Sequence, residues 1–227
     1  MGKVILISGG SDGLGYAIAK QLSSNNKVII CSPTKEKLEK ASKELDCEYE
    51  VCDVSDAPAV KETIDSVIKR HGKIDCLINN AGLWIQGELD TNDPEQIKKV
   101  MEVNSLGPIL MSRETIPHMK KEKSGLIINV VSQAGLYGKA ERTVYTTSKF
   151  AVTGFTKSLI SELAPYGIKV TGLYPGKLKT TMFQKMGIKK EMGNGLELDE
   201  VAKTVEFILS AGENTVFPEV GIKHIDN

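Results

Sequence analysis

The sequence predicts an α/β protein: a parallel sheet of about seven strands with helices on both faces. Three observations carry this. Short apolar, β-branched runs alternate with longer amphipathic stretches along the chain. The first run ends in a glycine-rich turn that opens a helical stretch. No break in composition, internal repeat or low-complexity segment divides the chain, so residues 1–227 read as one domain.

The elements follow in order. Val4–Ser8 is a strand, and a helix runs from about Leu14 to Ser24. Lys27–Cys31 is the next strand, Lys35–Leu45 a charged helix and Glu48–Cys52 a short strand. The stretch Ala59–His71 is helical, with Val60, Ile64, Val67 and Ile68 on one face. Cys76–Asn79 is a strand stopped by Asn80-Ala81-Gly82. Asp93-Pro94-Glu95-Gln96 starts a helix: a capping Asp, Pro at the first helical position, Gln at the third. That helix is expected to pass Asn104 and bend at Gly107-Pro108. Leu126–Val131 is a strand, and Thr143–Pro165 a long helix with Val152, Phe155, Leu159 and Leu163 on one stripe. Ile168–Leu173 is a strand ended by Tyr174-Pro175-Gly176; Leu198–Ala211 is helical, and Val220–Ile225 forms a last edge strand. Residues 177–195 are the irregular exception, a long loop of the kind that serves as a substrate lid.

Composition narrows the function. The chain has 227 residues, 41% of them hydrophobic, enough for a sizeable core. Lys plus Arg and Asp plus Glu balance at 29 each, which gives no electrostatic reason for a nucleic acid or an anionic membrane as partner. The apolar run after Lys3 is too short for a signal-sequence core, and nothing approaches the ~20 apolar residues of a membrane span. The expectation is a cytoplasmic protein. Cys31, Cys47, Cys52 and Cys76 are scattered and read as reduced thiols. His71, His118 and His224 form no metal pattern with them.

The turn after the first strand is Ser8-Gly9-Gly10-Ser11-Asp12-Gly13-Leu14-Gly15. Glycines let a backbone turn sharply and approach a ligand closely. The helix behind them points free N–H groups at the turn, which favours a pyrophosphate. The spacing GxxxGxG differs from GxGxxG, and alone it is also that of a plain glycine-rich turn.

Tyr145-Thr146-Thr147-Ser148-Lys149 places a phenol and an ammonium on one helix face. A phenol with a pKa of about 10 is a poor acid/base at neutral pH. A nearby cation stabilises phenolate and makes proton exchange with an alcohol or carbonyl feasible. Ser132 ends a strand thirteen positions before Tyr145, where a hydroxyl could hold a substrate oxygen. Each piece alone has a bland reading; together they are specific.

These motifs resemble those of the classical short-chain dehydrogenase/reductase family, from Val4 to Thr180. The resemblance implies a Rossmann-type doubly wound fold and hydride transfer between a nicotinamide cofactor and a carbonyl or alcohol. It makes Tyr145 the general acid/base, Lys149 the residue that lowers its pKa and grips the nicotinamide ribose, and Ser132 the holder of the substrate oxygen. Asn104 resembles the family's helix-breaking Asn of the proton relay. The cofactor would meet Gly9, Ser11, Asp12, Gly13, Leu14 and Gly15 at the turn. Asp53 would accept from the adenine amino group, with Val54 beside it. Asn80, Ala81 and Gly82, after Asn79, match the stretch that braces the sheet and lines the cofactor. Pro175, Gly176 and Thr180 match the segment at the nicotinamide end. Ser8 replaces the family's Thr, Val131 replaces one Ser before Ser132, and the chain lacks the Gly-rich ending of many relatives.

An acidic residue ending the second strand would select NAD(H) by accepting from the ribose 2′-OH. Here Ser32 stands in that place, and Ser32, Thr34 and Lys35 could hold a 2′-phosphate. Asp12 and Pro33 stand where basic residues favour that phosphate. The balance leans to NADP(H) over NAD(H), although Lys35 taken alone reads rather as a solvated first-turn lysine. Leu83, Trp84, Gln133, Tyr137, Met182, Phe183 and Met186 suggest a pocket for an apolar or aromatic carbonyl compound. The last three could equally pack the lid or a subunit contact. By resemblance, helices Asp93–His118 and Thr143–Pro165 would pair across a two-fold axis in a homodimer or homotetramer. Two other functions compete. A cofactor-binding sensor would have no need of Ser132, Tyr145 and Lys149 together. An epimerase or dehydratase of the extended family would carry other glycine spacing and a longer C-terminal substrate domain.

Overall fold

The computed structural model describes residues 2–180 and 194–226. A seven-stranded parallel sheet in the order β3-β2-β1-β4-β5-β6-β7 organises it. The strands are β1 (Val4–Ser8), β2 (Lys27–Ser32), β3 (Glu48–Val51), β4 (Cys76–Asn79), β5 (Gly125–Val130), β6 (Ile168–Pro175) and β7 (Glu219–Ile222). The helices are α1 (Gly13–Ser23), α2 (Lys35–Leu45), α3 (Ala57–His71), α4 (Pro94–Met101), α5 (Gly107–Glu122), α6 (Thr143–Leu163) and α7 (Leu198–Leu209). This is the doubly wound Rossmann-type architecture the sequence predicts.

The strands sort their side chains by parity onto two faces. Ile5 and Ile7 of β1 join Ile18 and Leu22 of α1, Leu38 of α2 and Val205 of α7 on one face. Val4 and Leu6 join Val60 and Ile64 of α3, Met111 of α5 and Leu159 of α6 on the other. Ile5, Leu6 and Ile7 are fully buried, so β1 is the axis of the core. The chain leaves β1 toward β2 on one side and returns from β3 to β4 on the other. That reversal opens a crevice beyond the carboxyl ends of β1 and β4, where open α/β sheets bind ligands.

Most elements lie within a residue or two of expectation, β6 among them, which runs on to Pro175; β7, which ends at Ile222 instead of Ile225, differs more. The main difference in the helices is the bend expected at Gly107-Pro108. The break instead occupies Glu102–Leu106, a π-helical turn centred on Asn104. Pro108 sits in the first turn of α5, where its missing N–H costs no helical bond. Gly107 lies against Val54: a Cβ there would come 2.7 Å from Val54 Cγ2. The four cysteines are unpaired, and Cys31, Cys52 and Cys76 are buried. Among the described residues, no helix is long and apolar enough to cross a membrane.

Candidate active site

The glycine turn is shaped by close contacts on one side and open space on the other. Gly9 turns with φ 67°, and a Cβ on Gly15 would sit 2.2 Å from the Gly9 carbonyl oxygen. Those two glycines let the turn fold onto itself. Gly13 is different. It also has positive φ, 57°, but a Cβ there would meet nothing within 4 Å. The space above Gly13, at the first N–H groups of α1, suits a diphosphate. Asp12 caps α1 by accepting from Gly13 N at 2.7 Å. Ser11 lies in the same turn, half-buried, and Leu14 is buried behind it.

Asn80 fixes the turn to the end of β4. Its Nδ2 donates to the carbonyls of Ser8 (3.0 Å) and Gly9 (3.2 Å). The Ser8 hydroxyl accepts from Asn80 N and Ala81 N, both at 3.1 Å. Beneath lies a buried polar ladder. Asn79 donates to Asn129 Oδ1 at 2.8 Å and to Ser112 Oγ at 3.1 Å, and Asn129 donates to Thr156 Oγ1 at 2.9 Å. The ladder ties β4 and β5 to α5 and α6.

Ser132, Tyr145, Lys149 and Asn104 converge on this frame. Ser132 follows β5 with φ 126°, a strained backbone for a non-glycine residue. Its hydroxyl accepts from Ala134 N at 3.2 Å and bonds the Tyr145 phenol. Burial raises the Tyr145 pKa, against the opposing hydrogen bond from Ser132 and the charge of Arg142. Lys149 is buried; its ammonium donates to the Val130 carbonyl at 3.2 Å and lies 5.8 Å from the Tyr145 ring centroid. Burial lowers its pKa to about 8. Asn104 clamps the loop after β4: its Oδ1 accepts from Leu83 N at 2.7 Å, and its Nδ2 donates to Leu83 O at 2.9 Å and Ser148 Oγ at 3.1 Å. Gly82 sits between them; a Cβ there would lie 3.5 Å from Asn104 Oδ1 and 3.7 Å from Lys149 Nζ.

At the β2–β3 end the expected residues are looser. The Ser32 hydroxyl is buried and has no hydrogen-bond partner among the described residues. Lys35 is exposed and pairs with Glu39 of its own helix at 3.7 Å. Asp53 accepts from Ser55 and, at 2.9 Å, from Lys99. Burial works to raise the Asp53 pKa, but these bonds outweigh it and hold the carboxyl below its usual range. Val54 is buried against Gly107. At the other end, Pro175 is buried in β6 and Gly176 N donates to Ile222 O at 2.8 Å. Thr180 shares a cleft with Asp12, Gly13 and Tyr16. Residues 177 to 179 pair with Leu196, which draws together the two described ends of the expected lid. Met182, Phe183 and Met186 lie outside the described residues.

Three participants escaped the sequence reading. Arg142 lies over the Trp84 ring, with 5.0 Å from its guanidinium carbon to the centroid. Trp84 in turn meets the Tyr145 ring at 4.4 Å between centroids. Lys37 faces Asp12 at 3.9 Å across the mouth of the turn, and Lys99 holds Asp53. Only Arg142 leaves a local sign, a cation one helical turn before Tyr145.

Comparison with known proteins follows the same geometry. The sequence profile described as short chain dehydrogenase matches residues 3–191. A 3-oxoacyl-[acyl-carrier-protein] reductase of Thermotoga maritima is 31% identical over 96% of this chain and 95% of its own. An alcohol dehydrogenase of Thermococcus sibiricus, solved with 5-hydroxy-NADP, superposes with a TM-score of 0.91 at 26% identity, over 100% of this chain and 98% of that one. A 3-ketoacyl-(acyl-carrier-protein) reductase of Brucella melitensis, solved with NADH, gives a TM-score of 0.89 at 27% identity, over 98% and 97%.

Proposed function

The chain belongs to the short chain dehydrogenase family and is an NAD(P)-dependent oxidoreductase, and from that premise we propose that it interconverts a ketone or aldehyde with an alcohol, with Tyr145 as acid and base. The observation that carries the proposal is the meeting of the Tyr145 phenol, the strained Ser132 and the buried Lys149 ammonium beside an open glycine turn.

When bound, the nicotinamide group supplies or accepts the hydride. Gly13 and the first N–H groups of α1 hold its diphosphate, while Asn80, Ala81 and Gly82 line the wall beyond. Pro175, Gly176 and Thr180 border its far end. Asp53 and the Val54 backbone flank the adenine. The Ser132 hydroxyl holds the substrate oxygen, and Tyr145 donates a proton to that oxygen as it gains charge. Burial raises the Tyr145 pKa, so the phenol is the form that gives its proton in reduction, and its action as base in oxidation depends on the Lys149 charge. Lys149 supplies the positive charge that balances phenolate once the proton has left. Asn104 keeps the Leu83 loop and α6 at fixed separation, and the π-helical turn around it opens the helix for a proton relay.

The cofactor lean is to NADP(H). Support comes from the absence of a carboxylate ending β2 and the presence of Lys35 and Lys37 at the start of α2. Exposed Leu106, Ile109 and Phe150 on α5 and its approach and on α6 support a homodimer through those helices. A cytoplasmic location accords with the free, buried thiols.

Tyr145→Phe tests the central claim. Turnover of a ketone and aldehyde panel should fall by about 10²-fold or more while the protein still binds cofactor. Undiminished turnover in that variant would reject Tyr145 as the proton donor.

A further inference from the structure

Arg142 is the last residue before α6, and its guanidinium lies on a column of rings that ends at the proton donor: Arg142 over Trp84, Trp84 against Tyr145. Trp84 is only 8% exposed, so the column is anchored in the protein. Arg142 itself is half-buried at its outer end. Its guanidinium lies on the Trp84 face, and its charge acts on Tyr145. The neighbouring Glu141 carboxylate is turned to other use, accepting from Gln86 Nε2 at 3.0 Å. The Glu141 backbone is held in the left-handed region, φ 60°, and its carbonyl accepts from Gly87 N at 2.9 Å. The loop is thus tied to the segment carrying Trp84, and Arg142 is presented in one place.

A stacked guanidinium uses its face and leaves its N–H edge available. That edge is a planar fork matched to two oxygens of a carboxylate or phosphate. A fork beside a reaction centre, with its acidic neighbour occupied elsewhere, is placed to take an anion.

We propose that Arg142 binds an anionic group of the substrate, so that the enzyme acts on keto or hydroxy compounds carrying a carboxylate or phosphate a few bonds from the reacting carbon. Trp84 and Leu83 wall the short apolar stretch between the two groups. This rests on carbonyl chemistry at Tyr145, and it replaces a purely apolar substrate with one that is apolar in the middle and charged at the far end.

Trp84 is the only tryptophan, so intrinsic fluorescence reports on this column directly. With NADP present, levulinate and dihydroxyacetone phosphate would be titrated against neutral levulinamide. At least one anion should change the fluorescence saturably, with levulinamide weaker by about tenfold or more. Arg142→Met should abolish that preference and Arg142→Lys restore part of it. Which anion responds separates carboxylate from phosphate. Levulinamide binding as well as both anions, or an anion preference that survives Arg142→Met, overturns the proposal. Turnover of the same compounds and of cyclohexanone separates the two levels. Cyclohexanone reduction with no gain from a charge rejects the anion site alone. Anion binding through Arg142 with no cofactor oxidation on any carbonyl rejects the reaction instead.

Discussion

The two ends of the crevice are built from different materials. At the β4–β5 end, polar side chains are buried and answer one another: Asn79 to Asn129 to Thr156, Asn104 to Leu83 and Ser148, Lys149 to Val130. At the β2–β3 end, charges stand in water and pair loosely. Lys37 and Asp12 are 3.9 Å apart with side chains 54% and 42% exposed. A buried polar group costs stability if its partner is lost, so each one constrains its neighbours. An exposed pair contributes little and can be exchanged at little cost. On the function proposed above, the chemistry is set in the rigid end, and the choice between cofactors in the yielding one.

Lys149 provides the largest test of that contrast. Its folded pKa is about 8, lowered from 10.5 by burial. Between those values the unfolded chain binds more protons than the folded one, so stability rises with pH across that window. Below about pH 8 the full cost of burying the ammonium is present, about 3 kcal/mol at most. Lys149→Met should abolish turnover yet raise the urea midpoint at pH 7, and the gain should shrink toward pH 10. A variant less stable than the parent at pH 7 would mean that the bond to Val130 outweighs desolvation. The rigid end would then be held together by its lysine rather than strained by it.

Asn129 comes next. It is fully buried and links Asn79 to Thr156. Asn129→Ala leaves both partners short of a bond in a dry place, a loss of about 2 kcal/mol. Thermal unfolding would measure it. Because the ladder sets the spacing of β5 and α6, kcat should fall more than the KM for cofactor rises. A fall in cofactor affinity alone would show that the ladder serves the wrong end.

The same division explains what the sequence made legible. Strands such as Val4–Ser8 and Cys76–Asn79 are short apolar runs between breakers, and burial on both faces leaves no other reading. Tyr145 and Lys149 stood out because they set a phenol and a cation on one helix face, and Ser132 because it puts a hydroxyl at a strand end thirteen positions before Tyr145. Periodicity alone gave no sign of the π-helical turn at Asn104, since the helical pattern runs through it and Gly107-Pro108 offered a more obvious place to bend; only the resemblance to a helix-breaking Asn pointed there. The column of Arg142 and Trp84 joins segments distant in sequence and has no periodic sign. Pairs such as Asp53 with Lys99 are equally silent, because exposed charges carry no pattern that says which of many lysines will come close.

The smallest expected effect lies at the yielding end. Lys35 pairs with Glu39 of its own helix, and Lys37 faces the glycine turn through Asp12. Asp12 draws it there while its own charge opposes an incoming 2′-phosphate. Lys37→Gln should weaken NADPH by about two- to fivefold and leave NADH nearly unchanged, as suits an exposed pair. Asp12→Asn keeps an acceptor for Gly13 N and should shift the ratio the other way. Michaelis constants for both cofactors, taken at low and high salt, would measure this, and the gap should narrow as salt rises. A fall in affinity by orders of magnitude, or an equal fall for both cofactors, would place Lys37 on the diphosphate and make this end as rigidly specified as the other.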